Sequence, residues 1–222
     1  MTLENLTIFK DVPDKSGIAP PETPFTPTFI TLGRNVSFGS ADCGNFGYSL
    51  TGVAPSLYGS DYSSINKYTR ETVTVGPGGI GGADAWSYVG RRFSVAANNS
   101  TTSKIANIRM TGSYKGETTA YAGATSATNI TMVVKDLTWG TQSTETIYTK
   151  SCSVAQTEST GLVPFDVNEM FYLKAGHVYL VCVLIEGSSA IYGAGTASSD
   201  FGPWDGDNYN EGVYLDRIYV YF

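Results

Sequence analysis

Val178-Tyr179-Leu180-Val181-Cys182-Val183-Leu184-Ile185 carries no charged or amide side chain over eight positions. The run is too short for a typical buried helix and is rich in β-branched residues. That predicts a strand with apolar side chains on both faces, which belongs at the centre of a sheet. Cys182, inside the run, reads as a small buried hydrophobe.

Working outward, other segments alternate. Trp86–Ala96 places Val89, Arg91, Phe93 and Val95 on one side. Ala106, Ile108, Met110 and Tyr114 share a face of the next strand, and Ile130, Met132 and Val134 repeat the pattern. Shorter candidates are Thr28–Phe38 and Glu71–Val75, and Thr144–Lys150 is polar enough for an edge. Val213–Phe222 closes the chain, with Tyr214, Ile218, Val220 and Phe222 assigned to one face. Strands recurring at such intervals between Gly, Ser, Asn and Pro clusters predict an all-β antiparallel sandwich. One turn of helix is expected at Asp166–Phe171, with Asp166 as cap. Gly76–Gly82 reads as a flexible loop, and Ser40–Ser64 as a long recognition loop with aromatics among Gly and Ser.

Phe171-Tyr172-Leu173-Lys174-Ala175-Gly176-His177-Val178-Tyr179-Leu180-Val181 resembles the Leu-x-Ala-Gly-x-x-Tyr hook of β-sandwich jelly rolls, viral coat and sugar-binding domains among them. The resemblance implies a jelly-roll-like topology. The chain then divides into an N-terminal strand and Pro-rich arm at 1–28 and one sandwich domain at 29–222. Pro13, Pro20, Pro21, Pro24 and Pro27 stiffen the arm and remove backbone donors.

Composition narrows the partners. Only 15% of residues are charged and the formal net charge is −6, so nucleic acid and anionic membrane are not expected. No apolar run approaches the roughly 20 residues of a spanning helix. The first ten residues lack the basic start and apolar core of a secretory leader. The arm, the hydroxyl-rich uncharged surface and the strand-like termini together predict a non-enzymatic assembly protein. Such a protein would be a virion component (capsid, decoration or tail) or a surface filament subunit, and it would be a homo-oligomer or sit among neighbouring structural subunits. The alternative is a carbohydrate-binding module or lectin-like receptor binder at an extracellular surface.

Site candidates follow from side-chain chemistry. Asp205, Asp207, Asn210 and Glu211 supply the oxygen ligands that calcium needs, without matching an EF-hand. Trp86, Trp139, Trp204 and the tyrosines could stack on sugar rings; Trp86 fits a core position, and Trp204, Tyr58 and Tyr62 are the preferred stacking platforms for glycans. His177, the one histidine, sits where a turn enters the apolar strand and is read as structural rather than catalytic. Cys43 and Cys152 lie in polar contexts, and their pairing is left open. No catalytic residue and no cofactor other than calcium is indicated.

Overall fold

The computed structural model describes residues 28–202 and 211–222. The arm ahead of Thr28 lies outside the described residues. The elements are β1 (Phe29–Thr31), β2 (Val36–Phe38), β3 (Cys43–Gly52), β4 (Ser56–Ser63), β5 (Tyr68–Val75), β6 (Gly79–Ala96) and β7 (Ser103–Tyr121). They continue with β8 (Ala124–Asp136), β9 (Gln142–Ser153), β10 (Gln156–Lys174), β11 (Val178–Gly193), β12 (Thr196–Phe201) and β13 (Gly212–Tyr221).

These strands form two facing sheets, as alternation along them requires. One sheet runs β1-β6-β11-β8-β9, with β3 also on β6. The other runs β10-β7-β12-β5-β13-β2, with β4 also on β5. The antiparallel pairs nest in sequence: β5 with β12 and β13, β6 with β11, β7 with β10, and β8 with β9. That nesting is the jelly-roll arrangement. β11 takes the centre of the first sheet, flanked by β6 and β8, as its two-faced apolar run requires.

Four local expectations are corrected. Ser40–Ser64 is not a loop: β3 and β4 extend the two sheets beside β6 and β5. Asp166–Phe171 is strand, held against β7, because Phe165, Val167, Phe171 and Leu173 alternate inward at period two. Four of the seven residues of Gly76–Gly82 belong to β6, where Gly79 pairs with β11 and Gly81 and Gly82 pair with both β3 and β11. Tyr214 does not share a face with Ile218, because a register shift between Leu215 and Arg217 buries Val213, Leu215, Ile218 and Val220 together.

All three thiols are free. Cys43 is on β3 and Cys152 on β9, at opposite ends of one sheet. Four strand spacings of about 4.8 Å separate them, well beyond disulfide reach.

The interior has three zones. A large apolar cluster around Phe93, Met110, Met132, Tyr179 and Ile185 fills one end. Small residues fill the other, including Ala83, Ala85, Ala120 and Ala197 with Val73 and Val75. Between them runs a belt of buried hydroxyls and one carboxyl. Thr118 Oγ1 and Thr128 Oγ1 are 2.7 Å apart, Thr128 Oγ1 and Ser199 Oγ are 2.6 Å apart, and Ser199 donates to Glu71 Oε1. Glu71 is 0% exposed, and its Oε2 has no partner. Gly187 lies opposite, where a Cβ would come within 2.0 Å of that oxygen. Burial raises the Glu71 pKa well above the usual carboxylate range; the Ser199 bond only partly offsets it.

Burial therefore favours the neutral acid at Glu71. A carboxyl raised in the folded state contributes full stability below its unfolded value near 4.3, and the contribution falls as pH rises above that value. Glu71→Gln, which keeps the acceptor and cannot ionise, is expected to flatten this decline. In thermal melts at pH 8 the variant should gain about 2–4 °C for each kcal/mol recovered, while matching the parent at pH 4.

Candidate functional site

Two turns at one end of the sandwich build a groove between the facing sheet edges. The first joins β8 to β9. Asp136, buried at the end of β8, accepts hydrogen bonds at Oδ1 from the N–H groups of Thr138 (2.8 Å) and Trp139 (3.1 Å). That closes an Asx-type turn and fixes where Trp139 leaves the backbone. The second joins β10 to β11 through the hook segment. Gly176 turns at φ 82°, a conformation glycine tolerates, and Tyr179 Oη accepts the Lys174 N–H at 2.8 Å. Ser143 on β9 donates to Glu169 on β10 at 2.6 Å, tying the two edges together.

The turns meet at His177. Its Nδ1 lies 2.7 Å from Asp136 Oδ2, and its ring packs edge-on to Trp139 with centroids 4.6 Å apart. The other side chain on Trp139 is Lys174, whose Nζ sits 3.6 Å from the indole centroid and 6.0 Å from that of Tyr172. Burial alone would raise the Asp136 pKa, but the bonds from His177, Trp139 and Thr138 outweigh it and hold the carboxyl below its usual range.

Despite three local restraints, Trp139 remains 60% exposed, and Tyr172 is 51% exposed. The cavity between them, of about 430 Å³, is lined by these rings together with Thr141, Ser143, Met170 and Lys174. An exposed indole held in one orientation has little conformational freedom left to lose on binding. The contact between the His177 ring and Asp136 Oδ2 ties the β8–β9 turn to the β10–β11 turn.

The sequence-derived candidates lie elsewhere. Tyr58 packs tilted against Tyr48 with centroids 4.3 Å apart, and Tyr62 packs on Phe46 at 6.5 Å, both between β3 and β4. Trp204, Asp205, Asp207 and Asn210 lie outside the described residues. Glu211 is described, with its Oε1 3.7 Å from Lys115 Nζ. Trp139 is one of three tryptophans that the sequence offers for stacking, and nothing in Thr138-Trp139-Gly140 ranks it above Trp204. Its clue was Asp136 three residues ahead, where a turn would fix it.

No family model matches this chain, and no curated protein matches it. Solved structures similar to it include the glycoside hydrolase domain of Endo-D from Streptococcus pneumoniae R6, at 10% identity and a TM-score of 0.26. That match covers 79% of this chain and 21% of the other, so the chain spans about a fifth of its length. A xylan-binding domain of carbohydrate-binding family 22 is similar at 13% identity and a TM-score of 0.19, over 75% of this chain and 86% of that one. The C-terminal family 22 carbohydrate binding module of Clostridium thermocellum Xyn10B gives 12% identity, a TM-score of 0.19 and the same coverage. At these TM-scores the likenesses carry no argument about function.

Asp136→Asn tests the keystone of the groove. A carboxyl depressed in the folded state stabilises above its unfolded value near 3.9, and that contribution is lost as pH falls through the folded value. The variant is expected to melt earlier at pH 6 and to lose this acid-limb dependence. Trp139 should also become more mobile, read from fluorescence anisotropy of a variant in which Trp139 is the remaining tryptophan.

Proposed function

We propose that this protein is a non-enzymatic saccharide-binding β-sandwich, and that the Trp139–Tyr172 groove is where the sugar sits. The observation that carries the reading is the exposed but immobilised Trp139. A pyranose presents a C–H face that stacks on an aromatic ring, and hydroxyls that need fixed polar partners. The groove offers both: two exposed rings, the hydroxyls of Thr141 and Ser143, and the Lys174 ammonium. Calcium at Asp205, Asp207, Asn210 and Glu211 belongs to the same proposal as an accessory ion, and an extracellular surface is the setting it fits.

One observation favours a second reading, assembly with copies of itself or with neighbouring structural subunits, as in a virion or surface filament. β10 is a 19-residue edge strand whose far side has no partner among the described residues. It exposes Leu162 (66%), Met170 (68%) and Tyr172 (51%). Long apolar edges are pairing surfaces.

A glycan array followed by titration calorimetry separates the readings. Binding is expected for the full chain, with a loss of about tenfold or more in Trp139→Ala, the scale of a buried aromatic anchor. A smaller loss is expected in Tyr172→Ala, and none in Tyr58→Ala. A chelator arm reads the contribution of calcium. Binding that survives Trp139→Ala, or no binding to any glycan, would overturn the groove reading. Light scattering over a concentration series reads the second, which requires oligomers that Leu162→Lys disperses.

A further inference from the structure

The outer face of the first sheet changes character part-way along its strands. Leu180, Cys182 and Leu184 alternate outward from β11 and are buried together with Val133 and Tyr88. Two residues further, at Glu186, the same face opens. Glu186 is half-buried, its β6 partner Trp86 is half-buried, and its β8 partner Asn129 is exposed. Directly paired residues of antiparallel strands point to one side of the sheet, so the three form one row across it. Trp86 is the fixed member. It packs on the Leu184 cluster, and its indole lies over Gly47 of β3, where a Cβ would come within 2.7 Å of the ring.

The polar groups around that indole keep hydrogen-bonding capacity. Thr149 donates to Asn129 Oδ1 at 2.6 Å, which leaves the amide N–H groups to donate elsewhere. In the next row Ser49 donates to Asp84 Oδ2 at 3.0 Å, which leaves Oδ1. Among the described residues, Glu186 and the Trp86 indole N–H have no hydrogen-bond partner. Burial, and then the charge of Asp84, push the Glu186 pKa up to about 7, so a donor arriving at this carboxylate replaces solvation it lacks. Beyond Asp84 the floor drops. Gly82 and Ala190 face each other across β6 and β11 with little side chain between them, and Tyr192, 72% exposed, stands past them. From Glu186 to Tyr192 is about 20 Å along β11.

We propose that this open half of the outer face binds a neutral oligosaccharide, laid over the sheet from Trp86 to Tyr192. Sugar hydroxyls both donate and accept. They therefore suit a patch that offers an indole N–H, an amide and two carboxylates side by side, while the C–H face of a pyranose suits the Tyr192 ring. Asp84 and Glu186 together disfavour an acidic glycan by like-charge repulsion. The distance between the two rings asks for a chain of sugars rather than one. The face shares its ligand class with the Trp139 groove but does not rest on that reading, since the two have no residue in common.

The test titrates the nitrogen-15-labelled full chain with cellohexaose, mannohexaose and maltohexaose, and follows the three indole N–H signals by NMR. Trp139→Phe and Trp204→Phe assign two of them and leave Trp86 as the third. At least one hexasaccharide is expected to move the Trp86 signal. The affinity read there should fall about tenfold or more in Glu186→Gln, which keeps the side-chain shape and loses the charged acceptor, and about threefold in Asn129→Ala. Asn107→Ala, on the outer face of the other sheet, should leave it unchanged. Movement of Trp86 with Trp139 still supports this face while the groove reading fails; movement of Trp139 alone overturns this proposal and spares the groove. No movement of Trp86 with any of the three sugars, undiminished binding in Glu186→Gln, or a Trp86 response to calcium chloride alone would also overturn it.

Discussion

β11 governs this structure because it has no polar side. Its inward residues Val181, Val183 and Ile185 enter the main core, and its outward residues Leu180, Cys182 and Leu184 are as completely buried. Each buried aliphatic side chain is worth about 1.5–3 kcal/mol relative to exposure. A strand with five of them and a buried thiol cannot stand at an edge or face water, so β6 and β8 flank it and both of its faces must be roofed. The nested pairing of the jelly roll gives β11 that position, with β5 and β12 of the facing sheet packed beneath.

The groove shows how a structural pair can serve a surface. Asp136 and His177 form a joint between two turns. One carboxylate closes the β8–β9 turn and clamps the ring that enters β11. The hook in front of His177 sets Lys174 over the indole. Two distant turns are thereby locked to each other, and an indole that would otherwise wander is held at the rim.

Much of the sandwich was legible because period two is a strong local signal. Val178–Ile185 announced the central strand, and the alternation in 86–96, 106–114 and 130–134 announced its neighbours. Ser40–Ser64 and Asp166–Phe171 depart from expectation because local composition does not encode pairing, and Tyr214 departs because a bulge shifts the register of β13. Ser40–Ser64 has the residues of a loop, and it becomes β3 and β4 only because β6 and β5 offer free edges. Asp166 has the look of a helix cap, but Phe165 and Val167 on either side of it must face the core. The site was less legible still. Trp139 gains its significance from Asp136, His177 and Lys174, and the last two lie about 40 residues away along the chain.

The belt of Thr118, Thr128, Ser199 and Glu71 divides the interior into one oily end and one lean end. Unfolding such a chain hydrates polar groups along with apolar ones, and the two change the heat capacity with opposite sign. The four belt residues subtract only slightly from the unfolding heat-capacity increment set by the apolar ends, so the interior still loses stabilisation on cooling as an apolar core does.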